Sequence, residues 1–319
     1  MPLKLVMMGT GEFALPAFLA LYKTEHQVVG LCTQPDRTGR GHHRHRNALK
    51  ETAIEHGTTV FQPKNVNTNE SLEQLRALQA DVFVVAAYGQ ILSAELLAIP
   101  SQGAINLHAS LLPKYRGAAP IQYAIWRGET ETGVTIFRIE PKLDAGPILG
   151  VVTTEIGPKE TSGDLMPRLA QLSVPTLIEV LSRLAEGHSD PILQDPAAVT
   201  RAPRLKKEDG LIDWSKTAEE IGWHLRAMQP WPKPSTYLEQ AGRPPLRMLI
   251  LDIEPCDESH SAEPGQVVFA DTRRLVVQTG SGPVDVLRLQ PDGKRAMQPA
   301  EFLCGHAIQA GDRFVLAVE

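Results

Sequence analysis

Two polar side chains share one face of an apolar run in the stretch GAINLHASLLPKYRGAAP. Asn106 and His108 are two residues apart, so in a β-strand both point to the same face. Further along, Asp144 stands between apolar residues in KLDAGPIL. An amide, an imidazole and a carboxylate, with no Ser or Cys directly beside any of them, indicate electrostatic stabilisation and proton transfer instead of covalent catalysis.

Each of these residues also has an ordinary structural interpretation. A single histidine in a core is commonly structural, and Asp144 before Gly146 and Pro147 is typical of a turn. Asn106 beside His108 favours a functional role, because two buried polar side chains on one face need hydrogen-bonding partners. We therefore predict that Asn106, His108 and Asp144 form one catalytic site.

The first half of the sequence alternates strand patterns with helix patterns. Short apolar runs such as LKLVMMG, HQVVGLCT and DVFVVAAYG are typical of buried strands. EFALPAFLALYK and NESLEQLRALQ carry helical patterns, and Asn47 is expected to cap a helix in NALKETAIEHG. The alternation predicts an α/β fold with a mostly parallel sheet. Such sheets bind ligands at the carboxyl ends of their strands, where Asn106 and His108 are expected.

The pattern changes after residue 187. Prolines gather and periodicity is lost in GHSDPILQDPAAVTRAPRLKKEDG, and beyond it short strand-like runs follow one another at close spacing. We predict a catalytic domain over residues 1–187, a linker over 188–206 and a C-terminal domain over 207–319. The closely spaced strands favour a small β-barrel or sandwich for the C-terminal domain.

Composition excludes several classes of protein. The chain has 319 residues, a net charge of −5 and three cysteines that are far apart. The acidic balance excludes a uniformly basic surface, so any nucleic-acid contact must come from a local patch. The odd, scattered cysteines give neither a disulfide framework nor zinc spacing and indicate a reducing, cytoplasmic location. No apolar run reaches the length that a membrane span needs.

Residues 9–14, GTGEFA, match the glycine pattern of a dinucleotide-binding turn, which makes a dinucleotide enzyme an alternative. Such a site also needs an acidic residue at the end of the second strand. That strand ends in CTQ, and Asp36 lies beyond it in the loop. We interpret the glycines as a tight turn with close helix packing.

A basic loop, DRTGRGHHRHRN, follows the second strand pattern. Its ordinary interpretation is a solvated surface, and the alternative is contact with a polyanion. The clustered histidines also raise the question of a metal site, but arginines interleave with them and no carboxylate or cysteine stands among them. We therefore predict no metal here. The arginines of this loop are Arg37, Arg40, Arg44 and Arg46.

Several motifs together resemble the folate-dependent formyltransferases, and within that family the branch that acts on methionyl-tRNA. They are INLHASLLPKYRGAAPIQYAI, GTGEFALP, LDAGPIL, VVAAYGQIL, KEDGLIDWSKTAEEI and LQPDGKRAMQPAEFLCG, which extend over nearly the whole chain. The resemblance implies a Rossmann-like N-terminal catalytic domain, a smaller C-terminal β-barrel resembling an OB-fold, and 10-formyltetrahydrofolate as the formyl donor.

The resemblance also implies roles for particular residues. It makes Asn106, His108 and Asp144 catalytic, and it places the basic loop, with Arg40 in the matching position, on the acceptor stem of initiator methionyl-tRNA. We expect a monomer that formylates the α-amino group of the methionyl moiety for translation initiation. The residues implied in folate binding are Gln90, Ile91, Leu92, Ser110, Leu111, Leu112 and Pro113.

Other functions remain as alternatives. An amino-sugar-nucleotide N-formyltransferase would share the catalytic residues and the folate, whereas the basic loop and GAAPIQYAI favour tRNA. Glycinamide ribonucleotide formylation is disfavoured because such enzymes lack a second domain. A non-catalytic RNA-binding protein built on the barrel is disfavoured by the presence of all three catalytic residues.

The basic loop leads to a prediction that separates tRNA from a sugar nucleotide. Replacing Arg40 and Arg44 together by Glu should raise the KM for methionyl-tRNA at least tenfold, which corresponds to about 1.4 kcal/mol. The slope of log affinity against log salt should fall in magnitude, because a complex with fewer phosphate contacts releases fewer counterions when it forms. Folate affinity should be unchanged and serves as the control. Wild-type KM and salt slope in the double variant would make the loop a solvated surface only.

Overall fold

The computed structural model describes residues 1–36, 47–257 and 262–316, and within them the chain forms two compact units. The first unit consists of Met1–Pro120, Glu131–Glu155 and Leu165–Pro203. The second consists of Ile121–Thr130, Ile156–Asp164 and Arg204–Glu319. The domain and linker boundaries predicted from sequence stay predictions. The four arginines of the basic loop lie outside the described residues.

The first unit contains a seven-stranded sheet with the order β3-β2-β1-β4-β5-β7-β8. Strands β1 to β5 are parallel, whereas β7 and β8 are antiparallel to their neighbours, which confirms the predicted mostly parallel sheet. A further pair, β6 and β9, is short and parallel. The strands are β1 (Lys4–Gly9), β2 (Gln27–Cys32), β3 (Thr59–Phe61), β4 (Val82–Ala86), β5 (Ala104–His108), β6 (Arg116–Gly117), β7 (Glu131–Arg138), β8 (Ile148–Glu155) and β9 (Arg201–Ala202).

The predicted helices are present, and polar side chains cap several of them. Asn47 accepts a hydrogen bond from the Lys50 N–H at 3.1 Å, as predicted, and Gly57 follows the helix with a φ of 69°. Central strand β4 is buried at all five positions, because helices cover both faces of a parallel sheet. The helices are α1 (Leu15–Leu21), α2 (Ala48–Glu55), α3 (Asn69–Ala77), α4 (Ala94–Leu97), α5 (Pro120–Trp126) and α6 (Ser162–Ala185).

The glycine turn after β1 is a site of close packing. A Cβ on Gly9 would lie 2.9 Å from the Ala14 Cβ and 3.0 Å from the Ala86 carbonyl oxygen, closer than such contacts normally come. Asp36, the first acidic residue after β2, forms an ion pair with Lys50 at 2.6 Å. Its carboxylate is therefore already used within the protein. Both observations support the interpretation of the glycines as a packing turn.

The second unit is built on a six-stranded antiparallel sheet with the order β12-β13-β14-β11-β10-β15. The Phe314 N–H donates to the Gly265 carbonyl at 2.7 Å, which brings β15 back to the start of β12 and nearly closes the predicted barrel. No helix of the described ranges is long and apolar enough to cross a membrane. The elements are α7 (Ala218–Ala227), β10 (Ser235–Glu239), β11 (Leu246–Pro255), β12 (Val267–Ala270), β13 (Leu275–Thr279), β14 (Gly282–Pro291), α8 (Pro299–Leu303) and β15 (Arg313–Val315).

Candidate active site

Strand β5 presents Asn106 and His108 at its carboxyl end. It lies between β4 and β7, where the sheet changes from parallel to antiparallel pairing. Asn106 is half-buried and His108 is buried, while Ile105 and Leu107 are buried on the opposite face. Among the residues that the structure describes, none hydrogen-bonds to the Asn106 side-chain amide, so its donors are available to a ligand.

The His108 ring is oriented by contacts at both nitrogens. Nε2 lies 2.9 Å from the Tyr115 carbonyl oxygen, and since a carbonyl only accepts, Nε2 carries the hydrogen. The other nitrogen, Nδ1, faces the Asp144 Oδ2 at 3.8 Å, which is close enough for an ionic interaction but too long for a hydrogen bond. In the neutral ring, Nδ1 therefore has a free lone pair beside a carboxylate.

Burial sets the protonation state of His108. The loss of water around the ring lowers the pKa of His108 below its ordinary value, and this is the largest effect. The Asp144 carboxylate and the Tyr115 carbonyl raise the pKa, whereas the nearby Arg116 guanidinium lowers it. Because the net direction is downward, the resting ring is neutral near pH 7 and ready to accept a proton.

The Asp144 carboxylate is held by backbone. Its Oδ2 accepts a hydrogen bond from the Gly117 N–H at 2.8 Å. Asp144 itself has a φ of 48°, in the left-handed region, and Gly117 has a φ of 130°. A Cβ on Gly117 would collide with the Ala202 carbonyl oxygen. Glycine is therefore required where the chain passes β9 and donates to Asp144.

The first segment implied in folate binding is the loop after β4. The Gln90 side chain is used within the protein, because its Oε1 accepts from the Val66 N–H at 2.9 Å and its Nε2 donates to the Pro63 carbonyl at 3.2 Å. Ile91 is 86% exposed, an unusual state for so large an apolar side chain. Leu92 is half-buried and packs on the core beneath the loop.

The second implied segment follows directly after His108. The Ser110 hydroxyl donates to the Lys114 carbonyl at 2.8 Å, within its own loop. The buried Thr135 hydroxyl donates to the Ser110 carbonyl at 2.7 Å and accepts from the Leu112 N–H at 3.1 Å. Leu112 packs with Phe137, whereas Leu111 and Pro113 are half-buried.

Sequence reasoning did not identify several residues that hold the site. Thr135 stands opposite His108 in the β5–β7 register and links the loop to the sheet. Arg116 is buried and is paired with Gln194, and the Tyr115 N–H donates to the Thr200 hydroxyl at 2.8 Å. The alternation of β7 could have indicated Thr135. No local pattern distinguishes the other partners, which lie in the proline-rich segment.

The structure brings His108 and Asp144 together and places Asn106 on the same strand as His108. An available amide donor, a neutral imidazole and a carboxylate at the carboxyl end of a parallel strand can stabilise an oxyanion and move a proton. The fold and the site together define an enzyme of the group-transfer type on an α/β unit with an accompanying β-barrel.

The chain belongs to the formyl transferase family. The family described as "Formyl transferase" matches residues 3–181, and "Formyl transferase, C-terminal domain" matches residues 204–307. The chain is 43% identical to a protein named methionyl-tRNA formyltransferase from Methylococcus capsulatus, over 98% of this chain and 99% of that protein. It is 42% identical to a protein of the same name from Trichlorobacter lovleyi, over 97% and 96% of the two chains.

Solved structures of low sequence identity share the fold. An N-formyltransferase from Helicobacter canadensis, in complex with folinic acid and dTDP-3-aminofucose, has a TM-score of 0.66 at 17% identity and covers 91% of this chain and 100% of its own. HypX from Aquifex aeolicus in complex with tetrahydrofolic acid has a TM-score of 0.60 at 15% identity, covering 94% of this chain and 46% of that longer chain.

The His108 environment predicts a particular titration. The pKa of His108 should lie below about 6.5, and Asp144→Asn should lower it further, because the carboxylate that favours the imidazolium is removed. NMR titration of histidine-labelled protein measures both values, with His108→Gln assigning the signal. The exposed Asp190→Asn serves as the matched control and should leave the pKa of His108 unchanged.

The same shift has a consequence for stability. Since the folded pKa of His108 is depressed, the unfolded chain takes up a proton first as the pH falls through about 6.5, and this lowers the free energy of unfolding. Above that pH the ring is neutral in both the folded and the unfolded chain, so its titration does not change the free energy of unfolding. A pKa of His108 above 6.5 in the wild type, or one that Asp144→Asn does not lower, would contradict the assignment.

Proposed function

We propose that this chain transfers the formyl group of 10-formyltetrahydrofolate to the α-amino group of the methionyl moiety of initiator methionyl-tRNA, for translation initiation. The observation that supports the chemistry is the available Asn106 amide on the same strand as His108, whose Nδ1 faces Asp144. The observation that supports the acceptor is the similarity to methionyl-tRNA formyltransferases at 39–43% identity over nearly the whole chain.

Asn106 serves as the oxyanion donor. When the neutral α-amine attacks the formyl carbon, the formyl oxygen becomes an oxyanion, and an Asn106 N–H can donate to it. The strand holds the amide in place before the reaction, so that little reorganisation is needed at the transition state. A single donor of this kind is typically worth about 100- to 1,000-fold in rate.

His108 serves as the proton carrier. The amine nitrogen acquires a positive charge as the new C–N bond forms, and the neutral His108 ring accepts its proton. The imidazolium then donates the proton to N10 of the folate as the old C–N bond breaks, which leaves tetrahydrofolate and the formylated amine. Asp144 stabilises the imidazolium in the interval through its charge. His108 can donate a hydrogen bond to the oxyanion only while the ring is protonated, because the neutral ring already donates its one N–H to the Tyr115 carbonyl.

The loop after β4 and the segment 110–113 would contact the folate ring system, whose faces suit apolar side chains and whose polar edge suits backbone groups. Ile91 offers an exposed apolar side chain in the first segment, and Leu111 is half-buried in the second. The hydrogen bonds of Gln90, Ser110 and Thr135 are made within the protein, and they fix the backbone of the two segments. These segments would therefore recognise the ring through backbone groups and apolar contact, with low ordering cost on binding.

The tRNA contacts belong to the basic loop and the C-terminal domain. Arg37, Arg40, Arg44 and Arg46 lie outside the described residues, and their role is proposed from sequence alone. In the second unit, exposed basic side chains would add contacts to the tRNA phosphates. We propose a cytoplasmic monomer. The exposed basic residues that support this role are Lys206, Lys207, Arg273, Lys294 and Arg295.

An amine panel tests the function. The purified protein with 10-formyltetrahydrofolate should formylate methionyl-tRNA, and its kcat/KM for an amino-sugar nucleotide should be lower by at least about 1,000-fold, since a small acceptor cannot engage the basic loop. Uncharged tRNA, which lacks the amine, and free methionine, which lacks the tRNA, serve as controls. Preferential formylation of the sugar nucleotide would overturn the proposal.

Asn106 provides the sharpest test of the mechanism. Asn106→Ala should lower kcat about 100-fold or more, because the oxyanion loses its donor. The free energy of unfolding should change by only about 0.5 kcal/mol or less, since the amide has no partner among the described residues. The exposed Asn69→Ala is the matched control and should leave kcat unchanged. A well-folded Asn106→Ala variant with wild-type turnover would refute the role of this amide.

A further inference from the structure

Residues 192–202 belong to the first unit but lie outside both ranges that the formyl transferase family matches. Ile192 exchanges two backbone hydrogen bonds with Ile148, at 2.8 and 2.9 Å. Farther along, β9 pairs with β6, so that Arg201 stands opposite Arg116 in the register. The segment is therefore tied to the unit at both of its ends.

Within this segment, the Gln194 side chain uses its full hydrogen-bonding capacity. Its Oε1 accepts from the Arg116 Nε at 3.1 Å and from the Arg116 Nη2 at 2.7 Å. Its Nε2 donates to the Asp144 carbonyl at 2.9 Å and to the Gly146 carbonyl at 2.7 Å. Since guanidinium groups only donate and carbonyls only accept, the amide has one possible orientation, with two donors and two lone pairs all engaged.

The Asp144 turn needs such support. Its left-handed φ of 48° is a conformation that side-chain-bearing residues adopt seldom and keep only where their surroundings hold it. The Gly117 N–H holds the carboxylate, and Gln194 holds the main chain on the carbonyl side. Because Arg116 and Gly117 are consecutive, Gln194 and the Gly117 N–H tie the turn to the same short strand.

The second partner of Gln194 is a buried cation. Arg116 is 5% exposed, and its guanidinium lowers the pKa of His108 while Asp144 raises it. Among the residues that the structure describes, these are the charged groups that act on the imidazole. Gln194 hydrogen-bonds to the side chain of one and to the backbone of the other, so it can determine the distance of both from the ring.

We propose that Gln194 is a positioning residue for formyl transfer, which holds the Asp144 turn against Arg116 and thereby keeps the Asp144 carboxylate opposite His108. The inference rests on the proposed function for its kinetic consequence. Gln194 bonds to Arg116, Asp144 and Gly146, so it acts on the reacting atoms through Asp144 and not by touching them.

Two substitutions separate the contacts of Gln194. Gln194→Leu removes all four hydrogen bonds with a side chain of similar size, whereas Gln194→Glu keeps the acceptor for Arg116 but cannot donate to the carbonyls. Both should lower kcat about 10- to 100-fold, with the KM for 10-formyltetrahydrofolate changed by about twofold or less. The exposed Gln171→Leu on α6 is the matched control and should behave as wild type. Wild-type kcat in Gln194→Glu would overturn the proposal.

A double-mutant cycle tests whether Gln194 acts through Asp144. Adding Gln194→Leu to Asp144→Asn should lower kcat by about twofold or less beyond Asp144→Asn alone, because the group being positioned has already lost its charge. Fully multiplicative losses would mean that the two residues act independently and would overturn the proposal. Thermal denaturation confirms that the variants are folded, and Gln194→Glu replaces Gln194→Leu in the cycle if the latter is not.

A readout that needs no substrate keeps this proposal distinct from the proposed function. In Gln194→Leu, NMR titration should show the pKa of His108 lowered, as in Asp144→Asn, because Asp144 has the larger effect of the two charges that Gln194 holds near the ring. If the wild type does not formylate methionyl-tRNA, the proposed function fails while this titration still tests the positioning. A pKa of His108 that Gln194→Leu leaves unchanged would overturn the positioning role.

Discussion

The site depends on a carboxylate and an imidazole that face each other inside the protein. Asp144 Oδ2 lies 3.8 Å from His108 Nδ1, and both side chains are largely removed from water. Once the ring is protonated, the attraction at that distance and burial is much stronger than it would be at a surface, but each group has lost hydration. The pair is maintained because backbone groups replace part of that water: the Tyr115 carbonyl for His108 and the Gly117 N–H for Asp144.

The surrounding fold keeps this pair and its neighbours from moving. Strand β5 is bonded on both sides, and Thr135 on β7 ties the segment after His108 to the sheet. Gln194 and Arg116 hold the Asp144 turn from its other side. A site for proton transfer and oxyanion stabilisation benefits from such rigidity, since displacements of about 1 Å reduce the rate severely.

The charges near the ring also support the proposed role of His108 in a reaction that gives and takes one proton. Burial favours the neutral ring, and Asp144 limits the cost of the charged one. Arg116 lowers the pKa of His108 as burial does, but its effect is the smaller of the two. In formyl transfer to an amine, the same proton leaves the attacking nitrogen and must reach the departing nitrogen, so a group that holds it only briefly is appropriate.

Features that depend on neighbours along the chain could be predicted from the amino-acid sequence. Strand and helix periodicity established the mostly parallel sheet and the barrel, the alternation of β5 placed Asn106 and His108 on one face, and the N-cap was evident from Asn47. The motif similarity indicated the family. The folded chain was needed to show that Ser110 and Gln90 form hydrogen bonds within the protein and that Gln194, fifty residues beyond Asp144, completes the turn. Such contacts depend on the path of loops through space, and no local pattern encodes that path.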